Sequence, residues 1–198
     1  MPIPKKCKIL VQLSGMNGAR GIMFDRYAGN NKTELDPRDK MYFGPDGTTL
    51  VLPSENIMSF LSAENTESAA KTLFDSRQYK KITRAIKAAV IIEEDLIPFK
   101  RSGNDVLVGD FDDDGIDPES GVRLVHHVAR LAKGIPNPKV RPLLATPWEL
   151  NFTIHVMPSK DLDIKDLKRL FEDGGVCVGL GTFRPVFGKF ALTKFDIK

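Results

Sequence analysis

Every second residue of KCKILVQL, residues 6–13, is apolar, so Cys7, Ile9, Val11 and Leu13 share one face of a half-buried strand. The alternation lapses over residues 14–50, which are rich in Gly, Asn, Asp and Pro and predict a long irregular insertion. Helical spacing follows. Ile57, Phe60 and Leu61 lie behind Ser54 as N-cap, and SRQYKKITRAIKAAV turns Tyr79, Ile82 and Ile86 inward and Lys80, Lys81, Arg84 and Lys87 elsewhere. VIIEEDLIPF and GVRLVHHVARL read as strands. In WELNFTIHV, Trp148, Leu150, Phe152, Ile154 and Val156 alternate with Glu149, Asn151, Thr153 and His155. The link at 133–147 carries four prolines and is expected to form a structured loop rather than a helix. DLDIKDLKRLFEDGG predicts a helix capped by Asp161 or Asp163, burying Ile164, Leu167, Leu170 and Phe171 and ending at Gly174, and GKFALTKFDI supplies a last strand.

The order β-α-β-β-α-β predicts an α+β fold of the ferredoxin-like, RRM-like split βαβ type. Such a fold has an antiparallel sheet with helices on one face and the other face open for binding. A chain of 198 residues is expected to form one domain, 1–198, with the insertion at about 14–50 and a loop at about 100–121. Its apolar runs are too short to span a membrane, MPIPKK lacks the core of a signal peptide, and Cys7 and Cys177 offer neither a zinc quartet nor a disulfide framework. A cytoplasmic protein is therefore expected.

The formal charge of +3 conceals an asymmetry. Residues 104–121 hold seven acids and no base, and without them 19 acids face 29 bases, leaving about +10 on the rest of the chain. Such a body attracts phosphates whatever their sequence, although a solvated surface with a solubilising acidic loop is the plainer reading. Asp110, Asp112, Asp114 and Gly115 match the opening of a calcium loop, but Gly121 stands at the twelfth position, where a bidentate Glu is required. The segment thus reads as an exposed acidic turn, with a weak Ca²⁺ or Mg²⁺ site as the alternative. No metal site and no cofactor is assigned.

VGLGTFRPVFGKF, lying between the last helix and the last strand, resembles the glycine-rich loop of the RAMP superfamily of CRISPR RNA-binding proteins. PSENI at 53–57, Arg141-Pro142 ahead of Trp148, and the ending at 179–190 are also similar to a group of small phage and prophage proteins. The resemblance implies a ferredoxin-like fold and a phage context, hence the cytoplasm of a bacterial host, more than a specific activity.

Gly179 and Gly181 permit close backbone approach, Arg184 offers a planar fork for phosphate, and Phe183 and Phe187 offer π-faces for bases. Alternatively Gly179 and Gly181 shape a tight turn, Phe183 or Phe187 plugs the core, and Arg184 pairs with a helix carboxylate such as Glu172. Further candidate contacts are Arg20 and Arg26 in the insertion, Arg84 and Lys87 on the second helix, Arg123, Arg130, Lys139 and Arg141 around the third strand and the Pro-rich link, and Lys189. The function expected is noncatalytic binding of single-stranded RNA or DNA, RNA first, by a homo-oligomer whose insertion and acidic loop meet neighbouring subunits. One alternative is an assembly subunit without nucleic-acid affinity. The other is a metal- or histidine-dependent ribonuclease in which His126 or His127 meets His155 across neighbouring strands, as certain RAMP endonucleases use histidine.

Overall fold

The computed structural model describes residues 2–3, 5–26, 36–130 and 136–198. Its strands are β1 (Pro2–Ile3), β2 (Cys7–Gly15), β3 (Ile22–Met23), β4 (Val51–Pro53), β5 (Val90–Ile92), β6 (Leu96–Arg101), β7 (Asn104–Asp105), β8 (Val122–Arg130), β9 (Pro136–Leu144), β10 (Glu149–Val156), β11 (Ser159–Asp163) and β12 (Phe190–Ile197). Four helices, α1 (Ser54–Ser62), α2 (Ala69–Leu73), α3 (Gln78–Ala89) and α4 (Ile164–Cys177), complete an α+β arrangement with antiparallel sheets.

The main sheet runs β12-β2-β10-β6-β4, with β5 also pairing β10 and β7 pairing β6. The predicted alternation sets its register: Ile9, Val11 and Leu13 of β2 lie directly opposite Ile154, Phe152 and Leu150 of β10, and all six are buried. Directly opposed apolar side chains on one face of a sheet are the unit of its stabilisation. Helices cover that face. Phe60 of α1 meets Phe171 of α4 and Phe190 of β12 at centroid distances of 6.0 and 5.2 Å. The aromatic core then continues through Trp148 and Phe99 to Phe24, each contact edge-on at 5.7 Å. The core thus reaches the segment that floors the candidate site.

Several expectations are corrected. The Pro-rich link is a strand: β9 pairs β8 along its whole length and β3 at Leu143 and Leu144. Pro136, Pro138 and Pro142 share one parity, and the Pro142 carbonyl accepts from Phe24 on the side away from β8. Prolines of this parity therefore remove no donor from the β8 ladder. The insertion stays irregular where it is described, apart from β3 and one 3-10 turn at Arg38–Lys40, yet it buries Ile22, Met23, Phe24, Met41 and Leu50 in the core; residues 27–35 lie outside the described residues. VIIEEDLIPF is broken into β5 and β6 by the bend at residues 93–95. Finally, α4 continues past Gly174 to Cys177, since Gly174 and Gly175 serve packing. A Cβ at Gly174 would lie 2.6 Å from the Ala69 Cβ, and one at Gly175 would lie 2.5 Å from the Phe190 carbonyl oxygen. Of the two proposed caps, Asp163 accepts from the Lys165 N–H at 2.9 Å, and Asp161 sits in β11. Ser54 is the first residue of α1 and makes no side-chain cap; Pro53 precedes it. Among the described residues, no helix is long and apolar enough to cross a membrane.

Candidate nucleic-acid interface

The face of the main sheet away from the helices is not where the candidate residues gather. On β2 and β10 it presents Lys8, Leu10, Gln12, Ser14, Glu149, Asn151, Thr153 and His155, with no Phe, Tyr or Trp on which a base could stack. Gln12 donates to Glu149 at 3.2 Å, and Glu93 engages both Lys8 and His155 at 2.9 Å. Arg130, Lys139 and Arg141 sit instead on the separate β8–β9 hairpin, of whose Arg130 only the backbone is described.

The glycine-rich loop joins that hairpin to the body. Gly179 closes α4, donating its N–H to the Gly174 carbonyl at 3.1 Å. At Gly181, φ is +80° and a Cβ would stand 2.5 Å from the Met23 carbonyl oxygen, to which the Thr182 N–H donates at 2.9 Å. At Gly188, φ is +79° and a Cβ would overlap the Leu180 carbonyl; its N–H donates to Gly21 at 2.7 Å. Left-handed backbone in such contact admits glycine alone. The close approach made by Gly179 and Gly181 is therefore to the protein's own chain, the turn-forming use of these residues. Lys189 likewise takes part through its carbonyl, which accepts from Met16 at 3.2 Å.

Held this way, the loop presents its side chains to two cavities. Arg184 lines one of about 240 Å³ together with Arg26, Tyr42, Asn56, Ser59 and Thr182. The Arg26 guanidinium lies 5.5 Å from the centre of the Tyr42 ring. Neither arginine forms an ion pair among the described residues, and Glu172, the partner considered for Arg184, is engaged by Lys168 at 3.3 Å. Burial lowers the Arg184 guanidinium below the usual arginine value, against the attraction of Glu67. It stays cationic at neutral pH, as a partly desolvated charge that a bound anion would relieve.

The second cavity, about 520 Å³, is lined by Arg20, Arg123, His126, His127, Leu143 and Phe187. Phe187 is buried and plugs a small cluster with Met23 and Leu143, with the Arg20 guanidinium 5.9 Å from its ring centre. His127 is stacked on Phe183 at 5.1 Å and edge-on to Phe187 at 5.6 Å. Arg141 is almost fully buried beneath the loop. Its guanidinium lies 4.8 Å from the centre of the Phe183 ring and holds Asp25 through Nε and Nη2 at 2.8 and 2.7 Å. The Phe183 ring is thus already occupied on the protein side.

The fold therefore brings Arg20, Arg26, Lys139, Arg141, Phe183, Arg184 and Lys189 to one loop and hairpin region. Lys139 stands opposite His127 in the β8–β9 register. It leaves Arg84 and Lys87 on α3, where Lys87 is paired with Glu64, in neither cavity. Sequence reading missed Asp25, Tyr42, Asn56 and Ser59. Nothing local marks them, because their place follows from β3 pairing β9 and from the Gly181–Met23 contact. The histidine pairing is also corrected: His126 and His127 lie in β8, whose neighbouring strand among the described residues is β9, and His155 lies in β10 of the main sheet, so they are not on neighbouring strands.

In the acidic segment, Asp112 accepts from the Asp114 and Ile116 N–H groups at 3.0 and 2.8 Å, which makes it a turn former. Asp117 is buried. Burial alone would raise its carboxyl, but donation from the Ser120 hydroxyl and the Gly109 and Glu119 amides outweighs this and holds it below the usual carboxylate range.

No protein-family model and no curated protein sequence matches the chain. The chain is similar to one in the cryo-EM structure of the Type III-B Cmr-beta bound to cognate target RNA, with a TM-score of 0.57 and 13% identity over 98% of this chain. It spans 61% of that chain's length. At this identity the likeness is one of fold.

Proposed function

We propose that this chain is a RAMP-like protein that binds single-stranded nucleic acid, RNA first, without cleaving it. The observation that carries this reading is the pair Arg26 and Arg184, two guanidinium groups on one cavity with no ion pair among the described residues, beside the ring of Tyr42. The one carboxylate on that cavity, Asp25, is held by Arg141, so a phosphodiester there would answer both guanidinium groups. The wider setting supports it, since the Arg20 and Arg123 cavity continues the positive surface along the same loop. The fold agrees as well. Counting β5 and β6 as one strand, the core strands run fourth, first, third, second across the sheet, the order of a ferredoxin-like split βαβ unit. The similar solved chain belongs to an RNA-bound complex.

Anisotropy of short labelled single-stranded RNA and DNA tests the reading. Binding should fall steeply with added salt, and Arg184→Ala should weaken it about tenfold and flatten the salt dependence by about one ion. Absent or salt-insensitive binding refutes it. The assembly-subunit reading draws on the glycines, which pack against the chain itself; a defined oligomer by light scattering with no affinity for either polymer would favour it.

A further inference from the structure

At the β12 edge of the main sheet lies a groove unrelated to the arginine cavities. Its volume is about 650 Å³, within the ~300–1,000 Å³ of clefts that seat a ligand. Ile164 and Ile197 belong to its apolar floor, Ile197 being 56% exposed, and Lys5, Lys6, Lys165 and Lys168 stand around it with one acid, Asp163, whose carboxylate caps the Lys165 N–H. Of these lysines only Lys168 has an ion pair among the described residues, an exposed one with Glu172. An uncovered apolar strip within four cations asks for a partner both apolar and acidic.

The molecule carries such a segment at its opposite edge. The acidic loop follows β7, on the β6 and β4 side of the sheet. Its turn exposes Asp113, Asp114 and Glu119, and between them Ile116, 41% exposed. The internal bonds of Asp112 and Asp117 give the turn a fixed shape before it meets anything, which lowers the ordering cost of docking.

We propose that the acidic loop of a second copy of this chain docks in the lysine-lined groove, Ile116 against the Ile164 and Ile197 floor and the carboxylates against the lysines. The two surfaces are different and lie at opposite edges, so the contact is heterologous and propagates head to tail. It deepens the repeating-assembly part of the expected function and does not depend on nucleic acid.

The test uses two charge-reversed forms of the full chain, Lys165→Glu/Lys168→Glu and Asp113→Lys/Asp114→Lys, with Ile197→Asp as a third. Sedimentation is measured without nucleic acid over a range of protein concentration and salt, after circular dichroism confirms folding. The parent chain should self-associate, less so as salt rises, and each variant alone should associate at least about tenfold more weakly. Mixing the two charge-reversed forms should restore association, because each then offers the other an opposite charge. A parent chain that stays monomeric, variants that associate unchanged, or a mixture that fails to recover overturns the proposal. Loss of RNA binding in Lys165→Glu/Lys168→Glu, with association intact, would give the groove to a polyanion and overturn it too. RNA binding by the monomeric variants, read separately, decides the nucleic-acid reading whatever the sedimentation shows.

Discussion

Two basic regions, one a run and one scattered along the chain, differ in how the fold answers their charge. On α3, Lys81 pairs with Asp161 at 3.1 Å, Lys87 pairs with Glu64, and Arg84 adds to the field at Glu64. At the loop and hairpin, Arg26 and Arg184 converge on one cavity and Arg20 and Arg123 on another, without ion pairs among the described residues. A run of Lys and Arg at helical spacing therefore marked a face whose charge is partly answered at home. Scattered arginines, separated by most of the chain, made a face where Arg184 feels Glu67 but forms no ion pair among the described residues. What recruits an anion is the cation left without a counter-ion in the folded state.

The harshest way to break this contrast is to remove the frame that assembles the second region. Gly188→Ala places a Cβ onto the Leu180 carbonyl at a left-handed φ, and should cost about 3 kcal/mol or more in urea unfolding, with nucleic-acid affinity falling along with it. An unchanged midpoint would mean that the loop relaxes freely. Next in size, Arg141→Ala leaves Asp25 without its partner and removes the group beneath Phe183. A loss of about 2 kcal/mol is expected, partly recovered when Asp25→Ala is added, as a double-mutant cycle would show.

The sharpest pair of measurements compares the regions directly. Arg184→Ala should weaken RNA binding about tenfold while moving unfolding stability by less than about 0.5 kcal/mol, because no ion pair is lost. Arg84→Ala with Lys87→Ala removes two formal charges rather than one, yet should change affinity less than about twofold, since exposed pairs contribute little and this face touches neither cavity. Equal losses in the two experiments would reduce the interface to net charge alone.

Much of the fold was legible in the chain. Strict alternation in β2 and β10 and helical spacing in α1, α3 and α4 put most of the predicted residues in the core, with Ile9, Leu13, Ile154, Phe60 and Phe171 fully buried and Cys7, Tyr79 and Ile164 half-buried at its margin. The five-residue α2 was missed because one turn and a half is too short to display a period. The Pro-rich β9 was read as a loop because proline's lost donor matters only on the side that pairs. Which side that is depends on β8, up to twenty-two residues away at the Val122–Leu144 pair. The candidate site was legible in part: Arg184 and Arg26 were singled out, but not Tyr42, Asn56 or Ser59 beside them.

The sequence by itself determined which faces are apolar, where the loop must have glycine, and that a basic body carries one acidic segment. Those properties are local, fixed by periodicity, φ and composition. Only the tertiary structure decided that Arg141 is held by Asp25, that Lys87 is held by Glu64, and that Arg26 and Arg184 face one cavity without an ion pair among the described residues. A charge finds its counter-ion through space, across β3, β9 and the glycine loop, and no spacing along the chain encodes that distance.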